Sequence, residues 1–371
     1  MNRFLTLNCE PRTMNLELLT VSREPINRFN LFLFLFFAAL SIAGCASKWA
    51  LVVESPADPA QWRDDTNALR VRYLQTVTGF KETGTTVSNV LRYIAFGNRE
   101  SDNTIIRPVS AAIGWDKRMA IADLGRSCVH LYVPSEQKYR RIYSAGKVDL
   151  RTPVSVVFDD DLRLYVSDSS RGAIYIFDRD GAYLISIERA GDDVLQRPTG
   201  LSYLPGKKIL YAVDTLANKV FAFNTSGTLL FSLGGPGEQQ GQFNFPTHIA
   251  TSPDERLYVT DAMNFRVQIF DSSGAYLSSF GHHGNGSGDF SMPKGIVVDK
   301  SGVIYVVDAL FDNVQLFNMT GGFLLTIGGR GTGLGEFWLP SGLFLDNQDK
   351  LYVCDTFNQR IQVFQMMGAP Q

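Results

Sequence analysis

One period organises most of this chain. A strand-like segment ending in aspartate recurs as AIAD (to Asp123), LYVSD (Asp168), LYAVD (Asp214), LYVTD (Asp261), IYVVD (Asp308) and LYVCD (Asp355), at intervals of 45, 46, 47, 47 and 47 residues. A proline precedes each aspartate by 15 or 16 positions, at Pro108, Pro153, Pro198, Pro246, Pro293 and Pro340. Two landmarks that keep one spacing through six copies mean a repeat architecture, in which each unit buries its faces against its neighbours. In the fifth copy GIVVD, VIYVVD, VQLFN and FLLTIG read as four strands, with Lys300-Ser301-Gly302 and Thr320-Gly321-Gly322 as turns. Such a sheet has two faces to cover, and radial stacking covers both while leaving only short edges. The fold expected is all-β: a six-bladed β-propeller between about residues 70 and 366.

The chain ends support ring closure. The sixth copy stops at Phe364, after RIQVF, without a fourth strand, and residues 367–371 are left as a tail. Residues 73–79, YLQTVTG, match the fourth strands AYLSSFG and FLLTIGG, so an N-terminal strand is expected to complete the last blade. The 33 glycines and 12% aromatic residues suit many short strands joined by tight turns. Residues 79–107 are longer than the other links, and Val87, Val90, Leu91 and Ile94 have helical spacing; a short capping helix and a surface loop both fit.

FPTHIATSPDERLYVTDAMNFRVQIFDSSG and LPSGLFLDNQDKLYVCDTFNQRIQVF resemble NHL repeats, whose form is P-x-G-[IV], a turn, YV-x-D, then N-x-R-[IV]-Q-x-F. The likeness is strongest in copies four to six, and the first copy has Gly125-Arg126-Ser127 where Asn-x-Arg would stand. The resemblance implies a propeller that binds protein, RNA or peptide. The Cys/His array of the ubiquitin ligases that carry such domains is missing.

Residues 31–40, LFLFLFFAAL, have the length of a signal-peptide apolar region and are short for a membrane span. Arg23 and Arg28 precede them, and Ile42-Ala43-Gly44-Cys45 follows, resembling the lipobox of bacterial lipoproteins. The resemblance implies removal of residues 1–44 and acylation of Cys45; a start at Met14 would shorten the leader. Residues 45–69 then form a lipidated N-terminus and tether, extended around Pro56 and Pro59. Ala46 in place of aspartate points to the outer membrane in a host with two membranes. Cys9 is lost with the leader, which leaves Cys128 and Cys354 as two buried apolar residues or as a disulfide. Thirty-five Lys and Arg against 37 Asp and Glu give no broad positive field, so nucleic acid is excluded as the expected partner.

The repeated Asp123, Asp168, Asp214, Asp261, Asp308 and Asp355 are expected to fix turns by accepting backbone N–H bonds. Arg266 and Arg360 are expected to bridge turns in the same way. GGPGEQQGQF, GHHGNGSGDF and GGRGTGLGEF lack a phosphate-loop pattern and read as links between blades. Two residues after each proline stand Ser110, Ser155, Gly200, His248, Gly295 and Gly342, expected at the channel mouth. A single imidazole cannot build a three-ligand zinc site, and His130, His282 and His283 lie elsewhere, so no metal, cofactor or catalytic set is expected. The loops on one side collect His248, Met263, Phe265, Lys294, Phe311, Trp338 and Phe357, with Phe265 and Phe357 expected to tuck between blades. His248, Lys294, Phe311 and Trp338 are the binding residues expected.

The function expected is a membrane-anchored binding or assembly module at the cell envelope, with a protein partner. Similarity to bacterial NHL-repeat lipoproteins implies an electron-transfer assembly of multihaem cytochromes as one such partner. The alternative is a hydrolase or lyase with a metal-assisted site at the channel mouth near His248.

Overall fold

The computed structural model describes residues 47–64, 66–83 and 103–367. The leader, Cys45 and the helical spacing at residues 87–94 lie outside the described residues.

Five blades are four-stranded antiparallel sheets taken in chain order. Blade 1 holds Pro108–Ile113, Met119–Asp123, Cys128–Val133 and Lys138–Ile142. Blade 2 runs from Pro153–Phe158 to Tyr183–Ile187, and blade 3 from Pro198–Leu204 to Leu229–Gly234. Blade 4 runs from Pro246–Thr251 to Tyr276–Phe280, and blade 5 from Pro293–Val298 to Phe323–Gly328. Burial follows position in the blade. The second strands, such as Leu257–Asp261, are buried at every residue because both faces meet a neighbouring sheet, whereas the outer strand Tyr276–Phe280 is half-buried to exposed.

Six apolar clusters fill the six joints between blades. Between blades 4 and 5, for example, Val267, Ile269 and Phe290 meet Ile304, Val306 and Phe317. Three of the joints are plugged by a phenylalanine from the glycine-rich link, Phe243, Phe290 or Phe337, each fully buried. Gly234, Gly281 and Gly328 sit at positive φ directly beneath these rings, where a Cβ would lie 2.4, 2.4 and 2.3 Å from a ring carbon. Both the backbone conformation and the space therefore demand glycine.

Blade 6 closes the ring as the repeat arithmetic requires. Leu343–Leu345, Lys350–Asp355 and Arg360–Met366 are completed by Leu69–Thr83, with Tyr73 opposite Phe364 and Val77 opposite Ile361. The expected tether needs correction. Lys48–Glu54 and Gln61–Arg63 are both strands paired along Leu69–Thr83, so residues 48–63 belong to the sheet. Their pairing covers the outer edge of the closure strand, whose N–H and C=O groups would otherwise be unpaired. Trp49 packs on the cluster between blades 6 and 1, while Trp62 packs on the cluster between blades 5 and 6 and stands against the Phe364 ring at 5.5 Å. The segment thus clasps blade 6 from both sides. Cys128 and Cys354 are buried free thiols, and burial pushes the Cys128 thiol up to about 12.

Candidate functional site

Each landmark aspartate is fully buried and stitches two loops together. Asp308 accepts the N–H groups of Ser291 (2.6 Å) and Met292 (3.1 Å) from the link entering its blade, and those of Leu310 (3.1 Å) and Phe311 (3.2 Å) from its own turn. Asp123, Asp168 and Asp214 repeat this with Arg107, Thr152 and Arg197 N–H groups at 2.9, 3.1 and 2.9 Å. In blades 4 and 6 side chains join in. Asp355 accepts from Trp338 N (2.8 Å), Arg360 Nε (2.7 Å), Gln362 Nε2 (3.0 Å) and Asn358 Nδ2 (2.9 Å). Asp261 holds Arg266 Nε at 2.9 Å and Gln268 Nε2 at 3.0 Å in the same manner. Both arginines continue to carbonyls of the glycine-rich link, Arg266 to Gln239 and Gln242, Arg360 to Gly333 and Glu336. In blade 1 His130 takes the glutamine's place, its Nε2 3.1 Å from Asp123 Oδ2 and its Nδ1 2.8 Å from the Tyr139 hydroxyl. Burial holds His130 below the usual imidazole range. It is a buried scaffold residue.

This stitching fixes the channel mouth. The inner strands converge so closely that a Cβ on Gly200 would lie 2.6 Å from His248 Cα, and one on Gly342 would lie 2.4 Å from Val109 O. Ser110 and Ser155, at the equivalent positions, accept the N–H groups of Val156 (3.3 Å) and Leu201 (3.1 Å) from the next blade. Ser110, Ser155, His248 and Gly342 of this ring line an open channel with about 220 Å³ of free volume, walled largely by Ala, Val, Leu and Ile. His248 lines that channel with Nδ1 enclosed and without a hydrogen-bond partner. Burial, and secondarily the Lys294 ammonium, push its imidazole down to about 3. Burial also lowers Lys294. Among the described residues no three His, Cys, Asp or Glu side chains group to hold a metal ion.

A pH dependence follows. The unfolded imidazole takes up a proton near its ordinary value of 6.5 while the folded one does not until about 3, so stability is complete above 6.5 and falls as pH drops through that window. Glycine serves at this position in three blades. We expect His248→Gly to lose about 1–2 kcal/mol less stability than the parent between pH 7.5 and about 5 in urea unfolding. Equal losses in both proteins would refute the assignment.

Around the mouth the loops present two unlike arcs. Leu216, Phe245, Met263, Leu310, Trp338 and Phe357, from blades 3 to 6, are between 39% and 52% exposed. They occupy only two kinds of position, two residues after the aspartate or one to two before the proline. Trp338 and Phe357 pack in a tilted pair with ring centroids 5.7 Å apart, and Arg107 lies 5.2 Å from the Phe357 centroid. From there Arg107, Arg151 and Arg197 continue the rim across blades 1 to 3, all exposed.

The binding residues expected from sequence are distributed unevenly. His248 and Trp338 stand at the mouth, the first in the channel wall and the second exposed on the rim, with Lys294 beginning the neighbouring inner strand. Phe311 is only half-buried to partly exposed, held by its N–H to Asp308. Phe357 does not tuck between blades: it stands two residues after Asp355, as Met263 does after Asp261, and is exposed. Phe265, four residues after its aspartate, folds back onto His283 at 4.3 Å between centroids. Sequence reading missed Leu216, Phe245, Leu310 and the three arginines. Counting from each aspartate and proline would have found them.

A family model described as 6-bladed beta-propeller matches residues 250–314 and 301–370. No curated protein matches the chain. Among solved structures, a gluconolactonase from Xanthomonas campestris is similar with a TM-score of 0.59 at 16% identity, over 87% of this chain and 99% of that one. Virginiamycin B lyase from Staphylococcus aureus is similar with a TM-score of 0.53 at 13% identity, over 70% of this chain and 95% of that one. An auxiliary nutrient binding protein from Bacteroides thetaiotaomicron is similar with a TM-score of 0.54 at 15% identity, over 71% of this chain and 70% of that one.

Proposed function

Proceeding from a chain that is a six-bladed β-propeller, we propose that it serves as a lipid-anchored binding and assembly module of the cell envelope, engaging a protein partner at the channel mouth. The exposed apolar arc from Leu216 to Phe357 carries this reading. Six large apolar side chains held in water by a rigid scaffold are costly unless a partner covers them, and aromatic residues are the usual anchors of such contacts. Crosslinked capture from native membranes tests it. Alanine at both Trp338 and Phe357 is expected to abolish capture while lowering unfolding free energy by about 1–3 kcal/mol, which leaves the protein folded. Capture that survives both substitutions would place the partner elsewhere.

The anchor rests on the lipobox-like Ile42-Ala43-Gly44-Cys45, and Cys45→Ser is expected to release the protein from the membrane fraction. A protein that stays bound after this change would defeat the proposal. An anchor at Cys45 would act on the propeller through the strand Lys48–Glu54. Trp49 N–H donates to Gln137 O (2.7 Å) at the turn between the third and fourth strands of blade 1, on the side opposite the aspartate turns. That attachment leaves the mouth free for a partner.

A second reading, a hydrolase or lyase at the mouth, draws on the unpartnered His248 Nδ1. The Lys294 charge that lowers its imidazole also repels a metal cation there, which weighs for binding over metal-assisted chemistry. Stoichiometric zinc or calcium in the purified protein, lost in His248→Ala, would reverse that preference.

A further inference from the structure

We infer that the occupant of the mouth is an acidic peptide segment carrying apolar side chains, contributed by a protein partner; this rests on the mouth being the binding face. Arg107, Arg151 and Arg197 are exposed, and neither they nor Lys294 forms an ion pair among the described residues. Elsewhere on the molecule cations do find carboxylates, as in Lys219 with Asp193, Arg163 with Asp159 and Lys207 with Glu255. The rim arginines are held apart from such partners by their origin. Asp123, Asp168 and Asp214 spend their oxygens on backbone N–H groups of the links that carry these residues, including Arg107 N, Arg151 N and Arg197 N at 2.9, 2.7 and 2.9 Å. The carboxylate that holds each arginine's backbone is therefore buried and occupied by N–H groups, while the arginine itself is exposed.

One ring thus carries a cationic half over blades 1 to 3 and an apolar half over blades 3 to 6, joined where Arg107 covers Phe357. Only a ligand with both characters within a short length complements it. A long polyanion or an anionic bilayer fits poorly, because exposed Asp149 and Asp192 lie on the hairpins that lead to the arginines, and the whole chain has a net charge of −2. A single peptide segment can cross the mouth without meeting them.

Selection of random displayed peptides on the full chain tests this directly. We expect the enriched peptides to be rich in Asp and Glu alternating with Leu, Phe or Trp. Their affinity is expected to fall at least about tenfold in the Arg107→Glu, Arg151→Glu, Arg197→Glu protein and in salt of about 0.5 M. The same positions changed to Gln provide a milder series should the reversal impair folding, with circular dichroism melting as the control. Enriched peptides that are neutral or basic, and insensitive to the arginines yet lost on Trp338→Ala, would overturn the acidic occupant and keep the binding face. Peptides insensitive to both sets would overturn the face as well. No enrichment, or arginine-dependent binding of phosphatidylglycerol vesicles or single-stranded RNA in place of peptides, would also overturn the inference.

Discussion

Asp355→Ala is expected to destabilise the protein by about 3–5 kcal/mol, the range seen when one partner of a buried charged network is removed. The carboxylate is fully buried, and its loss strands four donors together: Trp338 N, Asn358 Nδ2, Arg360 Nε and Gln362 Nε2. The Arg360 guanidinium, only 12% exposed, would then lack any counter-charge. Asp308→Ala provides the calibration, since every donor it strands is a backbone N–H. Neutral donors left unsatisfied cost about 1–3 kcal/mol, so Asp308→Ala should be the milder of the two. Urea unfolding of both variants decides the matter. A loss below about 1 kcal/mol for Asp355→Ala would mean that water or a rearranged loop replaces the carboxylate, and the stitching role would fall.

Removal of residues 47–63 is the second change with a large expected effect. The truncated chain keeps the closure strand Leu69–Thr83 but loses both strands that cover its outer edge and both tryptophans that clasp blade 6. A fully buried tryptophan replaced by alanine costs about 3–5 kcal/mol, and these two are half-buried, so the pair together should contribute on the order of 3–5 kcal/mol. The space is specific at one of them, because a Cβ on Gly335 would come within 2.5 Å of the Trp62 ring. We expect the truncated protein to melt well below the parent and to aggregate through the bared strand edge. Trp62→Ala in the full chain separates side-chain packing from edge protection. A truncated protein with parental melting temperature would show that the segment rides on the blade without stabilising it.

Much of this was legible before any coordinates. The spacing of Asp123, Asp168, Asp214, Asp261, Asp308 and Asp355, with a proline 15 or 16 positions before each, determined the number of blades and the position of every second strand. The strand-like YLQTVTG near the N-terminus and the strand absent after Phe364 determined how the ring closes. Period and register are local properties, written in turn residues and alternating side chains, so they survive without knowledge of neighbours. The clasp falls within residues 45–69, where Pro56 and Pro59 point to an extended tether, and only its pairing along Leu69–Thr83 makes it part of the sheet.

What surrounds a side chain was not legible, because that depends on contacts between blades. His130 has the chemistry of a site residue, and only the fold shows it enclosed between Asp123 and Tyr139 in a place where blades 4, 5 and 6 use glutamine. Phe265 and Phe357 are the same residue type in the corresponding turns of blades 4 and 6, yet a difference of two positions after the aspartate sends one back onto His283 and the other into solvent. The division of the rim into an arginine half and an apolar half belongs to the same class. Arg107 and Phe357 are 250 positions apart in the chain, and only ring closure sets the cation 5.2 Å from the centre of that ring. Sequence alone therefore determined the scaffold, whose forces repeat every blade, while the surface that distinguishes this propeller arose where blades far apart in sequence were brought edge to edge.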